Sequence, residues 1–104
     1  MEESKLVVIR WNSLTIPDEQ MLRELMEQEG LQPYRWWNYP GDIYLPHTHP
    51  YFKALYVVNG SITFELASGE LLELTAGDRL DLPAGIVHAA KAGVNGVICL
   101  EATR

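Results

Sequence analysis

Residues 41–60 read GDIYLPHTHPYFKALYVVNG, and residues 77–88 read GDRLDLPAGIVH. The chain has three histidines, and these two stretches hold all of them: His47 and His49 in the first, His88 in the second. In an extended strand, side chains i and i+2 leave the same face, so His47-Thr48-His49 offers two imidazoles side by side while Thr48 points away. A third imidazole from a distant strand completes one face of a coordination sphere, with open positions left for water or substrate. The bland alternative is that His47 and His49 line a rim and His88 is a hydrogen-bonded core residue.

Around these stretches the pattern is that of short strands. Ala54–Val58 runs to Asn59-Gly60, the pair favoured in two-residue type I′ hairpin turns, and Ser61–Leu66 returns with Ile62, Phe64 and Leu66 on one face. Turn signals at Ser68-Gly69, Ala76-Gly77-Asp78, Pro83-Ala84-Gly85 and Asn95-Gly96 bound strands Glu70–Leu74, Arg79–Leu82, Val87–Ala90 and Gly96–Glu101. Such spacing predicts an all-β antiparallel barrel or sandwich. Upstream, Leu6–Trp11 reads as an edge strand. One helix is predicted over Pro17–Glu29, with Thr15 as N-cap, Gly30 as stop, and Met21, Leu22, Leu25 and Met26 as the apolar stripe that packs on the barrel. Alternation along Tyr34–Tyr39 sends Tyr34 and Trp36 to one face and Arg35, Trp37 and Tyr39 to the other, so one tryptophan enters the barrel, as pocket wall or as core.

The two histidine stretches also resemble the paired motifs of the cupins. The first cupin motif runs G, five residues, H-x-H, three or four residues, E, six residues, G. Here it reads Gly41, DIYLP, His47-Thr48-His49, PYF, then Lys53 in the glutamate position, ALYVVN, and Gly60. The second runs G, five residues, P-x-G, two residues, H, three residues, N, and here it reads Gly77, DRLDL, Pro83-Ala84-Gly85, IV, His88, AAK, and Ala92 in the asparagine position. The resemblance implies a small single-domain cupin over residues 1–104: a cupin-type antiparallel β-barrel or jelly roll with one N-terminal helix packed on it. It also implies that His47, His49 and His88 hold one divalent transition metal, with Fe, Mn, Ni, Zn and Co all admissible for imidazole.

Composition narrows the partners. At 104 residues with 47% hydrophobic content, the chain suits one soluble domain, and no apolar run approaches the roughly 18 residues that span a bilayer. The acidic opening MEESK lacks the basic and apolar regions of a secretory signal, so the protein is expected to be cytoplasmic, in keeping with a single cysteine, Cys99, read as a buried apolar filler. A formal charge of −6 without a Lys/Arg cluster argues against nucleic acid. A homodimer is expected, burying aromatic and β-branched residues of the N-terminal strands across a two-fold axis.

Lys53 is the candidate catalytic residue. In motif register it points inward beside the imidazoles, on the face of Leu55 and Val57, where burial and a nearby metal would depress its pKa and make it a base or an anion contact. The alternatives are that a slip at Tyr51-Phe52 turns it to solvent, or that it pairs with an acidic neighbour. Tyr44, Tyr51 and Tyr56 are candidate hydrogen-bond donors to a ligand, with packing as the alternative. Arg79 and Asp81, at i, i+2 spacing, are read as a pair at a subunit contact. Three functions stay open on these residues: a metal-dependent enzyme of dioxygenase, isomerase or lyase type acting on a small polar organic molecule; a non-catalytic binder of a sugar or organic acid; and a metal-free structural dimer.

Overall fold

A computed structural model describes residues 5–104, so most of the acidic opening, at residues 1–4, lies outside the described residues. Seven strands and one helix follow in the order β1 (Val7–Ile9), α1 (Glu19–Gln28), β2 (Tyr34–Asn38), β3 (Ile43–His47), β4 (Lys53–Leu66), β5 (Leu71–Thr75), β6 (Arg79–Leu82) and β7 (His88–Thr103). No described helix is long and apolar enough to cross a membrane.

Two long antiparallel strands, β4 and β7, form the spine, paired from Lys53↔Thr103 at one end to Leu66↔His88 at the other. The first half of β4 also pairs with β6, and its second half with β5; β7 likewise takes β3 on its first half and β2 on its second. Each long strand therefore belongs to both layers of the barrel. Strand β1 closes one edge through Val8↔Leu80, as the Leu6–Trp11 reading expects.

The hairpin expected at Asn59-Gly60 is not formed. Both residues lie inside β4, where the register with β7 slips on either side of them, and Asn95-Gly96 lies inside β7. Gly60 (φ +81°) and Gly96 (φ +75°) stand against each other, and a Cβ on Gly60 would overlap the Gly96 carbonyl oxygen. The Asn-Gly conformation that makes a hairpin turn also makes a bulge. Here Ala54–Val58 and Ser61–Leu66 both find their partner in β7, so the chain bends from one layer to the other instead of doubling back. The same correction joins the expected strands Val87–Ala90 and Gly96–Glu101 into one.

The barrel interior is packed by Leu55, Val57, Ile62, Phe64, Leu74, Leu80, Val97 and Cys99, which confirms the cysteine as apolar filler. On the outer face of β4 and β7, Ala54, Leu100 and Ala102 receive Leu22 and Met26 of α1, together with Leu31. The small alanines let the helix come close, and full burial of Leu22 and Met26 contributes about 1.5–3 kcal/mol each. Met21 and Leu25 stay 37% exposed, so the buried stripe is half as wide as the sequence pattern suggests. The N-cap is Asp18 rather than Thr15: the Asp18 carboxylate accepts the Gln20 N–H at 2.7 Å, while the Thr15 carbonyl accepts the Trp11 indole N–H. Gly30, at φ +81°, ends the helix as expected.

Arg79 is not left free for a subunit contact. Its guanidinium donates to both Glu29 oxygens at 2.5 and 2.9 Å and to Asp81 at 2.9 Å, and lies 5.3 Å from the Tyr56 ring centroid. Burial opposes its charge, but these partners outweigh it and hold the guanidinium protonated. The pair read from the sequence is thus an intrachain tie between the end of α1 and the sheet.

Candidate metal centre and ligand pocket

Strand β3 ends on His47, whose partner across the ladder is His88, the first residue of β7. His49 lies beyond the strand end, just before the bend at Pro50-Tyr51, and is fixed there by backbone: its carbonyl accepts the Gly85 N–H at 2.8 Å. Gly85 adopts φ +84° in the Pro83-Ala84-Gly85 turn, so the turn of the second histidine stretch positions the second histidine of the first. Ring centroids stand 4.3 Å apart for His47–His88, 4.8 Å for His47–His49 and 5.4 Å for His49–His88. One ring nitrogen from each lies within 4.8 Å of the others.

The hydrogen bonds choose which nitrogen that is. His47 Nδ1 donates to the Leu45 carbonyl at 2.6 Å and His88 Nδ1 to the Ile86 carbonyl at 2.9 Å, which leaves the lone pair of each ring on Nε2. His49 Nε2 accepts from the Lys53 amine at 3.5 Å, so its lone pair is on the same atom. Burial, then the Lys53 charge and the neighbouring imidazoles, hold His49 below its ordinary pKa. His88 is lowered by burial first, with His47 and Lys53 adding to it against the Ile86 hydrogen bond. Neutral rings with Nε2 lone pairs are the form that ligates. A backbone acceptor on the far nitrogen is also the usual support for a metal-bound histidine. Three neutral nitrogens with no carboxylate among them suit a divalent transition metal better than calcium or magnesium. Ligands about 2.1 Å from a zinc-like ion stand roughly 3–3.5 Å apart, so an entering ion would draw the rings inward.

Lys53 opens β4 and turns into the cavity, so the solvent-facing alternative does not hold. Its amine lies 3.0 Å from Glu101 Oε2, in a pair whose side chains are 17% and 5% exposed. Glu101 is the residue that sequence reasoning missed. On β7 it alternates in phase with Val97 and Cys99, both buried, and a carboxylate in phase with a buried stripe was the available signal. Tyr34 donates its hydroxyl to Glu101 at 2.7 Å and Trp36 its indole N–H at 3.1 Å. Burial, followed by this bond to Glu101, keeps the Tyr34 hydroxyl protonated. Trp36 is therefore the tryptophan that enters the barrel, while Trp37 stays 52% exposed.

Behind the histidines lies a cavity of about 280 Å³. Leu55, Ile62, Phe64, Leu80 and Leu82 form its apolar depth, and Tyr34, Tyr44, the histidines, Lys53 and Glu101 its polar wall. Tyr44 donates to Asn38 at 2.8 Å, Tyr51 stacks on His49 at 5.2 Å, and Tyr56 packs on the helix side with Arg79.

A two-layered antiparallel barrel with three histidines gathered at its cavity defines a cupin. Residues 29–100 match the family described as AraC-like ligand binding domain, and the chain belongs to that family. Similar solved structures include an RmlC-like cupin from Shewanella frigidimarina NCIMB 400 (27% identity over 70% of this chain and 64% of that one, TM-score 0.61) and KdgF from a Halomonas species (31% identity, 71% and 69%, TM-score 0.59). One chain from the crystal structures of the DMSP lyases RdDddP and RnDddQII matches at 27% identity and TM-score 0.64 over 71% of this chain. The chain spans 64% of the Shewanella protein and 38% of that lyase. No curated protein sequence matches it.

Proposed function

We propose that His47, His49 and His88 hold one divalent transition metal and that the protein is a metal-dependent enzyme of lyase, isomerase or dioxygenase type, acting on a small organic molecule in the barrel. The observation that carries this reading is the convergence of one ring nitrogen from each of three histidines to within 4.8 Å of one another, with Nδ1 bonds to backbone carbonyls leaving the lone pairs of His47 and His88 on Nε2. When bound, such an ion supplies Lewis acidity at open positions facing the cavity. The apolar depth takes the carbon body of the ligand and excludes water. The Lys53 amine, placed by its 3.0 Å contact with Glu101, donates to a carbonyl or carboxylate oxygen of the ligand. The likeness to KdgF and to a DMSP lyase supports an enzyme.

The test is metal content. Purified protein should carry close to one transition-metal ion per chain, and His49→Ala should lose it while staying folded; full retention of metal in that variant overturns the assignment. A second reading is favoured by the Lys53–His49 contact and by the family description: a ligand-binding module for a sugar or organic acid that works without metal. Wild-type protein free of metal that still binds such a ligand would establish it.

The chain is also proposed to form a homodimer, supported by Val7 and Ile9, 44% and 52% exposed on edge strand β1, and by Trp37 on β2. Light scattering should report about twice the 11.8 kDa of one chain, and a mass that stays at the monomer value at micromolar concentration contradicts it.

A further inference from the structure

The Lys53 amine sits between two groups that both attract a cation: Glu101 Oε2 at 3.0 Å and His49 Nε2 at 3.5 Å. The second of these is a lone pair that the proposed metal needs. A divalent ion and an ammonium cannot both be served by it, and at that distance their like charges repel strongly in a partly buried site. Lysine carries its charge on a flexible four-carbon stem and can move. Glu101 cannot move as easily: it is 4% exposed, lies on β7 opposite Tyr34 and Leu55, and is held by the Tyr34 hydroxyl on one oxygen and the Trp36 indole N–H on the other. The movable partner is the cation and the fixed one is the carboxylate.

We propose that Glu101 is a positioning residue for the metal site that acts through Lys53: it retains the ammonium when an ion takes His49, so that Lys53 and the metal compete for one imidazole and Glu101 sets the outcome. The proposal rests on the metal reading given above. It assigns a role to the carboxylate on β7 in a chain that has lysine in the glutamate position of β4. With Glu101 in place, the ammonium keeps a counter-charge on leaving His49. Without it, the ammonium is left with the imidazole lone pairs as its partners, and metal binding weakens.

A double-mutant cycle tests this with cobalt(II) as the probe. Chelator-stripped wild type, Lys53→Met, Glu101→Gln and the double variant are titrated with cobalt chloride and followed by the visible absorption of the bound ion. Loss of a supporting group of this kind changes metal affinity by about 10–100-fold. Lys53→Met is expected to tighten binding about 10-fold, and Glu101→Gln to weaken it about 10-fold in the otherwise native chain but less than about 3-fold beside Lys53→Met. Equal weakening in both backgrounds overturns the proposal, because Glu101 then acts by its own charge. Where Glu101→Gln fails to fold, Tyr34→Phe takes its place in the cycle. It keeps the carboxylate and removes one of its anchors, and it should weaken binding with Lys53 present and not without it. Should wild type bind no cobalt while Lys53→Met binds it, the competition stands and the metal reading of the native chain falls. If neither binds, both fall.

Discussion

The sheet holds a cation on each of its faces, Arg79 of β6 on the helix side and Lys53 of β4 on the cavity side, and the two are treated differently. On the helix side, Arg79 is 7% exposed and has two carboxylates and an aromatic ring around it, with its fork bonded to Glu29 and its Nε to Asp81. On the cavity side, Lys53 has one carboxylate at 3.0 Å and shares a histidine lone pair at 3.5 Å. Arginine's planar fork fixes geometry, whereas lysine's point charge on a long stem does not. The first arrangement bonds all three guanidinium nitrogens to carboxylates and ties α1 to the barrel. The second makes two contacts, faces a cavity, and lies beside three clustered histidines. An ion pair is therefore not informative by itself; what separates the two here is how fully the cation is engaged and whether it faces a cavity.

The largest effect that can break this contrast is on stability. Arg79→Met removes the tie between α1 and the sheet and leaves Glu29 and Asp81 without it. Because both carboxylates keep some access to water, the expected loss is about 2 kcal/mol, below the 3–5 kcal/mol of a fully enclosed pair. Lys53→Met in the metal-free protein should cost about 1–2 kcal/mol: Glu101, its side chain 5% exposed, loses the Lys53 counter-charge, but Tyr34 and Trp36 still bond its two oxygens and the methionine packs on the apolar wall. Urea denaturation of the two variants side by side checks both; a larger loss for Lys53→Met would mean that the cavity pair is the structural one.

A smaller effect sharpens the contrast through pH. His49 and His88 are depressed below 6.5 when folded, so in the window between folded and unfolded values the unfolded chain binds more protons, and stability falls as pH drops below about 6.5. Glu29 is depressed below 4.5, chiefly by its bond to Arg79, so its contribution is complete above that value and is lost as pH falls through the lower folded one. Thermal midpoints of chelator-treated protein should accordingly decline first under mild acid, from the cavity side, and again in stronger acid, from the helix side. A flat midpoint between pH 7 and 5 contradicts the first step, and Arg79→Met should blunt the second.

The sequence by itself determined the barrel, its edge strand, the approximate helix and the three histidines, because these follow from local rules. Alternation assigns faces, glycine and proline punctuate strands, and the spacing of His47, His49 and His88 can be counted. It could not decide what Asn59-Gly60 does, because a positive-φ glycine serves a hairpin or a bulge equally well, and only the competition of β7 for both flanking segments selects the bulge. It placed the helix cap at Thr15, where local bonds among Trp11, Ser13 and Thr15 build a turn and leave the capping to Asp18. Above all it could not pair Lys53 with Glu101, 48 positions apart in the chain. That pairing depends on how β4, β7 and β2 register against one another, which places Glu101 beside Leu55 on one side and Tyr34 on the other. Residue types are local information; which charge meets which lone pair is set by strand register, and strand register is decided only when the whole barrel closes.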